Sequence, residues 1–190
     1  MEPWIVILII IVGVVLLVPL IWVIATYNRF VRLRQHIHES WSDIDVELKR
    51  RYDLIPNLVQ TVKGYAAHER ETLEMIVEAR NKAASPHTNA SDHALDESKL
   101  MIGLKKLFAL VEAYPDLKAD THFLALQKEL SLTEDRIAAS RRFYNANVRE
   151  MNQLRGMFPT SIIASMFNFS EASFFELSSD AERVVPTLDL

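Results

Sequence analysis

The sequence predicts an all-α protein, an antiparallel bundle of about four long helices tethered by an N-terminal single-pass transmembrane helix. Three observations carry that prediction. Trp4 to Ala25 is a nearly unbroken apolar run. Trp41, Ile44 and Leu48 form an apolar stripe at spacings of three and four, which Leu58, Val59 and Val62 resume beyond Pro56. Leu126, Leu130, Thr133, Ile137, Ser140, Tyr144, Val148 and Met151 form a seam of near-heptad spacing.

The first element is the anchor, residues 1–28. Its apolar run is interrupted only by Gly13 and Pro19, which membrane helices tolerate. At ~1.5 Å per residue the run reaches roughly 33 Å, enough to cross a hydrocarbon core. It exceeds the ~7–15 residue apolar region of a signal peptide, and it lacks a basic n-region and a small-residue cleavage site. Trp4, Trp22 and Tyr27 sit near its ends, where aromatic rings favour the headgroup level. Only Glu2 precedes the run, whereas Arg29, Arg32 and Arg34 follow it at once. The positive-inside rule therefore places the N-terminus outside and the C-terminal bundle in the cytoplasm of a bacterial inner membrane.

The bundle occupies residues 29–156. Phe30, Ile37, Trp41, Ile44 and Leu48 continue a helix out of the anchor. Pro56 predicts a join: with Asp53 as N-cap and Pro56 in a first turn, a second helix runs from about Leu54 to Ala84 and makes an antiparallel hairpin with the first. Its inward face is Ile55, Leu58, Val62, Tyr65, Leu73, Ile76 and Val77, and Gly64 weakens its middle. The polar, Pro86-containing stretch from about 85 to 98 reads as a flexible loop. A third helix, from about Glu97 to Ala113, carries Met101, Leu104, Phe108 and Val111, and Pro115 ends it. The fourth, from about Asp116 to Arg155, would be ~60 Å long and carries the heptad seam, with Gln127, Glu134 and Arg141 as a polar edge.

Helices joined up and down bring the end of the fourth back to the bilayer. There begins an apolar aromatic tail, residues 157–190, with Met157, Phe158, Ile162, Ile163, Met166, Phe167, Phe169, Phe174 and Phe175. Such a run wants a surface, and three are open to it: lipid headgroups, its own bundle, or a neighbouring subunit.

Composition narrows the chemistry. Apolar residues make up 49% of 190 positions, and beyond the anchor the chain carries all 21 basic and all but one of the 25 acidic residues. That mild acidity offers no general electrostatic attraction for nucleic acid. The chain has no cysteine, which excludes disulfides, thiolate metal sites and a cysteine nucleophile.

DIDVELKRRYDLIPNLV from Asp43, VKGYAAHERETLE from Val62 and Ala79-Arg80 resemble the LemA family of bacterial membrane-anchored proteins. YPDLKA from Tyr114, the spaced Phe123, Leu126, Gln127, Leu130 and Glu134, RRFYNANV from Arg141, Phe158-Pro159 and FFE from Phe174 extend the likeness over nearly the whole chain. The resemblance implies a helical, membrane-tethered protein and implies no reaction.

The residues themselves point away from catalysis. GxSxG, P-loop and Gly-rich dinucleotide patterns are missing from a chain with four glycines. His36 and His38 point to different faces of one helix, His68 has no partner four positions on, and His87 and His93 fall in the expected loop, so no metal or cofactor is expected. Asp43, Asp45 and Glu47 beside Lys49, Arg50 and Arg51, and Glu134 beside Arg141, read as a structural polar network. Trp41 and Tyr144 read as core aromatics; Glu69 and Glu112 could approach basic residues of the first helix, but the sequence does not place them. The reading that follows is a non-enzymatic membrane scaffold that self-associates and organises the inner membrane or its proteins. Its partners would be the lipid bilayer, further copies of the chain and other membrane proteins. The alternatives are an adaptor for one envelope protein, such as a membrane protease, and a hydrolase built on Asp43 and Asp45.

Overall fold

The computed structural model describes residues 2–87 and 89–175; Thr88 and residues 176–190 of the expected tail lie outside the described residues. Six helices follow one another: α1 (Pro3–Tyr65), α2 (Arg70–Ala83), α3 (Ala90–Val111), α4 (Pro115–Lys118), α5 (Thr121–Gly156) and α6 (Thr160–Met166). There is no strand among the described residues, so the all-α prediction holds.

The chain divides into two compact units. The first comprises Met1–Glu39 with Ala146–Ala172, the second Ser40–Asn145 with Ser173–Leu190. In the first, Arg29 meets Glu150 at 3.0 Å and Asn147 Nδ2 donates to the His36 carbonyl at 3.4 Å, so α1 and α5 run antiparallel. Its core is Phe30, Leu33, Met151, Leu154, Ile163, Ala164 and Phe169. In the second unit Trp41 lies on Tyr144, Arg51 on Glu134 and Tyr65 on Asp120, again antiparallel, with α2 and α3 packed on each other. Of the heptad seam, Leu130, Thr133, Ile137, Tyr144, Val148 and Met151 are buried, and Leu126 and Ser140 are half-buried.

The structure corrects the path at Pro56. There is no hairpin there and Asp53 caps nothing, because α1 runs through the proline to Tyr65. A proline inside a helix withdraws the N–H that residue 52's carbonyl would receive, leaving an orphan acceptor. Here Arg80 of α2 supplies the missing donor, with Nε at 3.0 Å from the Tyr52 oxygen. The reversal falls instead at Ala66–Glu69, where Ala66 N donates to Val62 O and Glu69 N to Ala66 O. The second helix is thereby short, Arg70–Ala83, and Tyr65 and Val77, expected inside, are exposed.

Two further boundaries move. The expected loop at 85–98 is helical from Ala90, started by Asn89, whose side chain accepts from Asp92 N at 2.8 Å. Its buried face is His93, Ala94 and Glu97, a polar inward set that a search for apolar periodicity passes over. Helix α5 does not begin at Asp116: α4 is a single turn, and Asp120 Oδ1 then caps α5 by accepting from Phe123 N at 2.8 Å. Gly103 of α3 has a packing reason, since a Cβ there would stand 3.2 Å from Ile76 Cγ1 of α2.

Candidate functional site

The second unit is built around a buried ionic hub. Arg51, on the inner face of α1 and 2% exposed, holds Glu97 of α3, 3% exposed, and Glu134 of α5 at 2.7 Å. One guanidinium thus ties three helices, and its flat fork suits two carboxylates at once. Removing one member of such a pair costs about 3–5 kcal/mol, because the other charge stays buried alone. Beside it, the Tyr52 hydroxyl contacts Glu97 Oε1, with His93 Nε2 at 3.1 Å and the Ala83 carbonyl at 3.0 Å. A neutral His93 donating to a tyrosine that donates to Glu97 satisfies this group. Burial pushes the Tyr52 hydroxyl up to about 12, with Asp45 adding to it against the opposing pull of Arg51 and Arg80. Burial, then His87 and Arg51, lowers His93 to about 4. His87 stacks on His93 at 4.3 Å, and its Nε2 meets Asp96 at 3.2 Å.

An open groove of about 740 Å³ borders this hub, lined by Trp41, Asp45, Lys49, Tyr52, Asp53, Arg80, His87 and His93 among others. Partial desolvation by the groove wall raises the Asp45 carboxyl above the ordinary carboxylate value, although the residue as a whole is exposed. Carboxylates and cations alternate along this groove, so it offers a charged binding face.

Several residues of the expected polar network part company here. Arg51 and Glu134 join, whereas Arg141 stands over the Phe175 ring at 5.2 Å. Arg50 pairs with Glu47 at 3.6 Å, and Asp43 is exposed, as is Asp45 on the groove wall. Glu69 and Glu112 do not reach the basic residues of α1: Glu69 accepts from Tyr114 at 3.3 Å, and Glu112 pairs with Lys118 at 2.5 Å. Tyr144 is a core aromatic whose hydroxyl donates to Ser173 O at 2.9 Å. His93, expected in a loop, is a buried helical residue.

The tail divides its side chains between two fates. Phe175, 1% exposed, packs in the second unit against Trp41 and His93. Asn145 grips its backbone there, donating to the carbonyl at 3.0 Å and accepting from the N–H at 2.9 Å. In the first unit Asn152 grips Ala172 in the same way at 2.9 and 3.0 Å, and Arg155 Nε donates to Phe169 O at 3.2 Å. Ile163 and Phe169 are buried in the first unit, Phe174 is half-buried in the second, and Phe158, Ile162, Met166 and Phe167 are exposed. Sequence reasoning missed Glu97, Arg80, Asn145 and Asn152. The last two stand seven residues apart on α5, the seam's own repeat, and that was the available signal.

Trp4, Gly13, Pro19, Trp22 and Ala25 all lie on α1, whose apolar part is long enough to cross a membrane and is unburied. Gly13 has nothing within 4 Å of where a Cβ would stand.

The sequence model of the LemA family matches residues 40–190. The chain is 29% identical to Protein LemA of Metamycoplasma hominis, covering 83% of this chain and 71% of that one. It is 24% identical to Magnetosome protein MamQ 2 of Paramagnetospirillum magneticum, with 85% of this chain and 70% of the relative covered. Magnetosome protein MamQ of Magnetospirillum gryphiswaldense is similar at 24%, over 78% of this chain and 64% of its own length.

Proposed function

The chain belongs to the LemA family, and from that premise we propose that it is a non-enzymatic, membrane-tethered scaffold that self-associates through the faces of its helical bundle. The observation that carries this reading is a set of apolar side chains left outside the second unit at helical spacing. Leu95 and Ile102 recur at seven on α3, and Leu124, Leu132 and Phe143 recur at eight and eleven on α5; all are exposed. Those intervals return to one side of a helix, so the residues form stripes rather than scattered points. Single exposed leucines are ordinary, but unpartnered stripes are the signature of association faces. None of the relatives above is named for a reaction, and the buried hub ties helices together.

The test is the mass and shape of full-length particles extracted with native lipid and viewed by electron microscopy. An assembly larger than a monomer is expected, and Ile102→Glu with Leu132→Glu should dissociate it while leaving the protein in the membrane. A monomer throughout would end the scaffold reading.

A second reading, an adaptor for one other envelope protein, is favoured by the charged groove beside the hub. Crosslinking from a photoreactive side chain at Asp45 would then recover one dominant foreign partner. Recovery of further copies of this chain alone would favour the scaffold.

A further inference from the structure

The aromatic tail offers an unassigned surface. Helix α6 buries Ile163 and Ala164 in the first unit's core, and turns Ile162 and Met166 outward. Ile162 and Met166 stand four residues apart on α6 and so share one side, and Phe158, in the turn just before the helix, is 82% exposed. Met157 and Phe167 flank them and are also exposed. Water is a poor neighbour for five large apolar side chains set together.

Three features of the same unit select the occupant. The first is place. Tyr27 follows the apolar run of α1 by two residues, and its ring stands 4.7 Å from Phe167 and 5.8 Å from Phe169, while Phe30 stacks on Phe169 at 4.6 Å. At ~1.5 Å per residue, α6 is therefore pinned within about one helical turn of the end of the run, the depth of the headgroups if α1 spans.

The second feature is charge. Between Met157 and Phe175 the only ionisable side chain is Glu171, which Arg155 meets at 3.6 Å. Two arginines stand beside the patch: the Arg34 guanidinium lies 5.7 Å over the Phe169 ring, and Arg155 Nε donates to Phe169 O at 3.2 Å. An apolar face rimmed by long cations matches an anionic lipid surface, because arginine stems lie along apolar surface while their heads reach phosphate.

The third is backbone satisfaction. Ser161 N donates to Met157 O at 2.7 Å, Ile162 N to Pro159 O at 3.2 Å, Phe167 N to Ile163 O at 3.0 Å, and Phe169 N to Ala164 O at 2.9 Å. The Thr160 hydroxyl donates within the same turn, 2.9 Å from Met157 O. A segment whose end groups are paired internally enters the lipid boundary without carrying orphan N–H groups there.

We propose that α6 and its flanks are a second membrane contact, an interfacial helix that lays Phe158, Ile162 and Met166 into the headgroup–acyl boundary of the leaflet where α1 ends. This rests on the reading of α1 as a membrane span and is independent of self-association. The span and α6 together would fix the depth and tilt of the first unit, where a single helix leaves it free to swivel.

The chain has no cysteine, so a single introduced one carries a unique label. The full-length protein is made with cysteine at Phe158, Ile162 or Met166, spin-labelled, and reconstituted into vesicles of phosphatidylethanolamine and phosphatidylglycerol. Leu16→Cys serves as the span reference and Val46→Cys, exposed in the second unit, as the aqueous one. Collision with oxygen, which partitions into lipid, is compared with collision with a water-soluble nickel chelate. The expected result is an oxygen-to-nickel ratio at all three α6 sites several-fold above that at Val46 and below that at Leu16. A ratio equal to that at Val46, with Leu16 in lipid, overturns the proposal and leaves the span standing. Protection from both reagents overturns it in favour of a protein cover, such as a second copy of this chain. A watery Leu16 overturns the span and this proposal with it.

Discussion

Tyr52, His93 and Glu97 meet in a space sealed on one side by Arg51, and their protonation is a consequence of that burial. The imidazole faces Arg51 and Tyr52 from α1, Glu97 from its own helix, and His87 with Asp96 on the flank. With its value lowered to about 4 in the fold against 6.5 for a free histidine, His93 stays neutral while an unfolded chain would already bind a proton. A depressed histidine contributes stability that is whole above 6.5 and is lost as pH falls towards 4, to the extent of about 3 kcal/mol. His93→Gln keeps a hydrogen-bonding side chain and removes the titration. Its denaturation midpoint in detergent should fall less steeply between pH 6.5 and 4 than that of the parent chain, and equal slopes would show that His93 is not the group responsible.

At the scale of elements, the α1–α2 pair shows how a helix can run through a proline. Pro56 leaves the Tyr52 carbonyl without its donor, and Arg80 answers it from the neighbouring helix. A buried acceptor left unpaired costs about 1–3 kcal/mol, which is the loss expected for Arg80→Met. Restoring the backbone N–H with Pro56→Ala should recover most of that loss in the Arg80→Met background, while changing the parent chain much less. A double-mutant cycle by urea unfolding measures the coupling. Additive effects would mean that Arg80 acts through Asp53, 3.8 Å away, or through packing.

For the whole molecule, the question is which side of the membrane holds which end. Arg29, Arg32 and Arg34 follow the apolar run at once, and the positive-inside rule then predicts the bundle in the cytoplasm. Cysteine at Glu2 should react with an impermeant maleimide in intact spheroplasts, and cysteine at Val46 only after permeabilisation. The opposite pattern would reverse the topology, and labelling of neither would show that the N-terminus does not emerge.

The sequence by itself determined the helical class, the long apolar run and the α5 seam, because each depends on a period or a length that neighbouring residues set alone. Tyr144 and Val148 are buried where the heptad spacing puts them. Tertiary structure decided the rest. Whether Pro56 ends a helix depends on a guanidinium 24 residues away in the chain, and whether 90–98 is loop or helix depends on Arg51 waiting to receive Glu97. The tail follows the same logic: its composition announces a need for cover, but only the packing of Ile163 and Phe169 and the grip of Asn145 and Asn152 separate the side chains already covered from those still facing out. Local patterns report what a residue prefers, and a polar side chain in a core states no preference until its partner is in place.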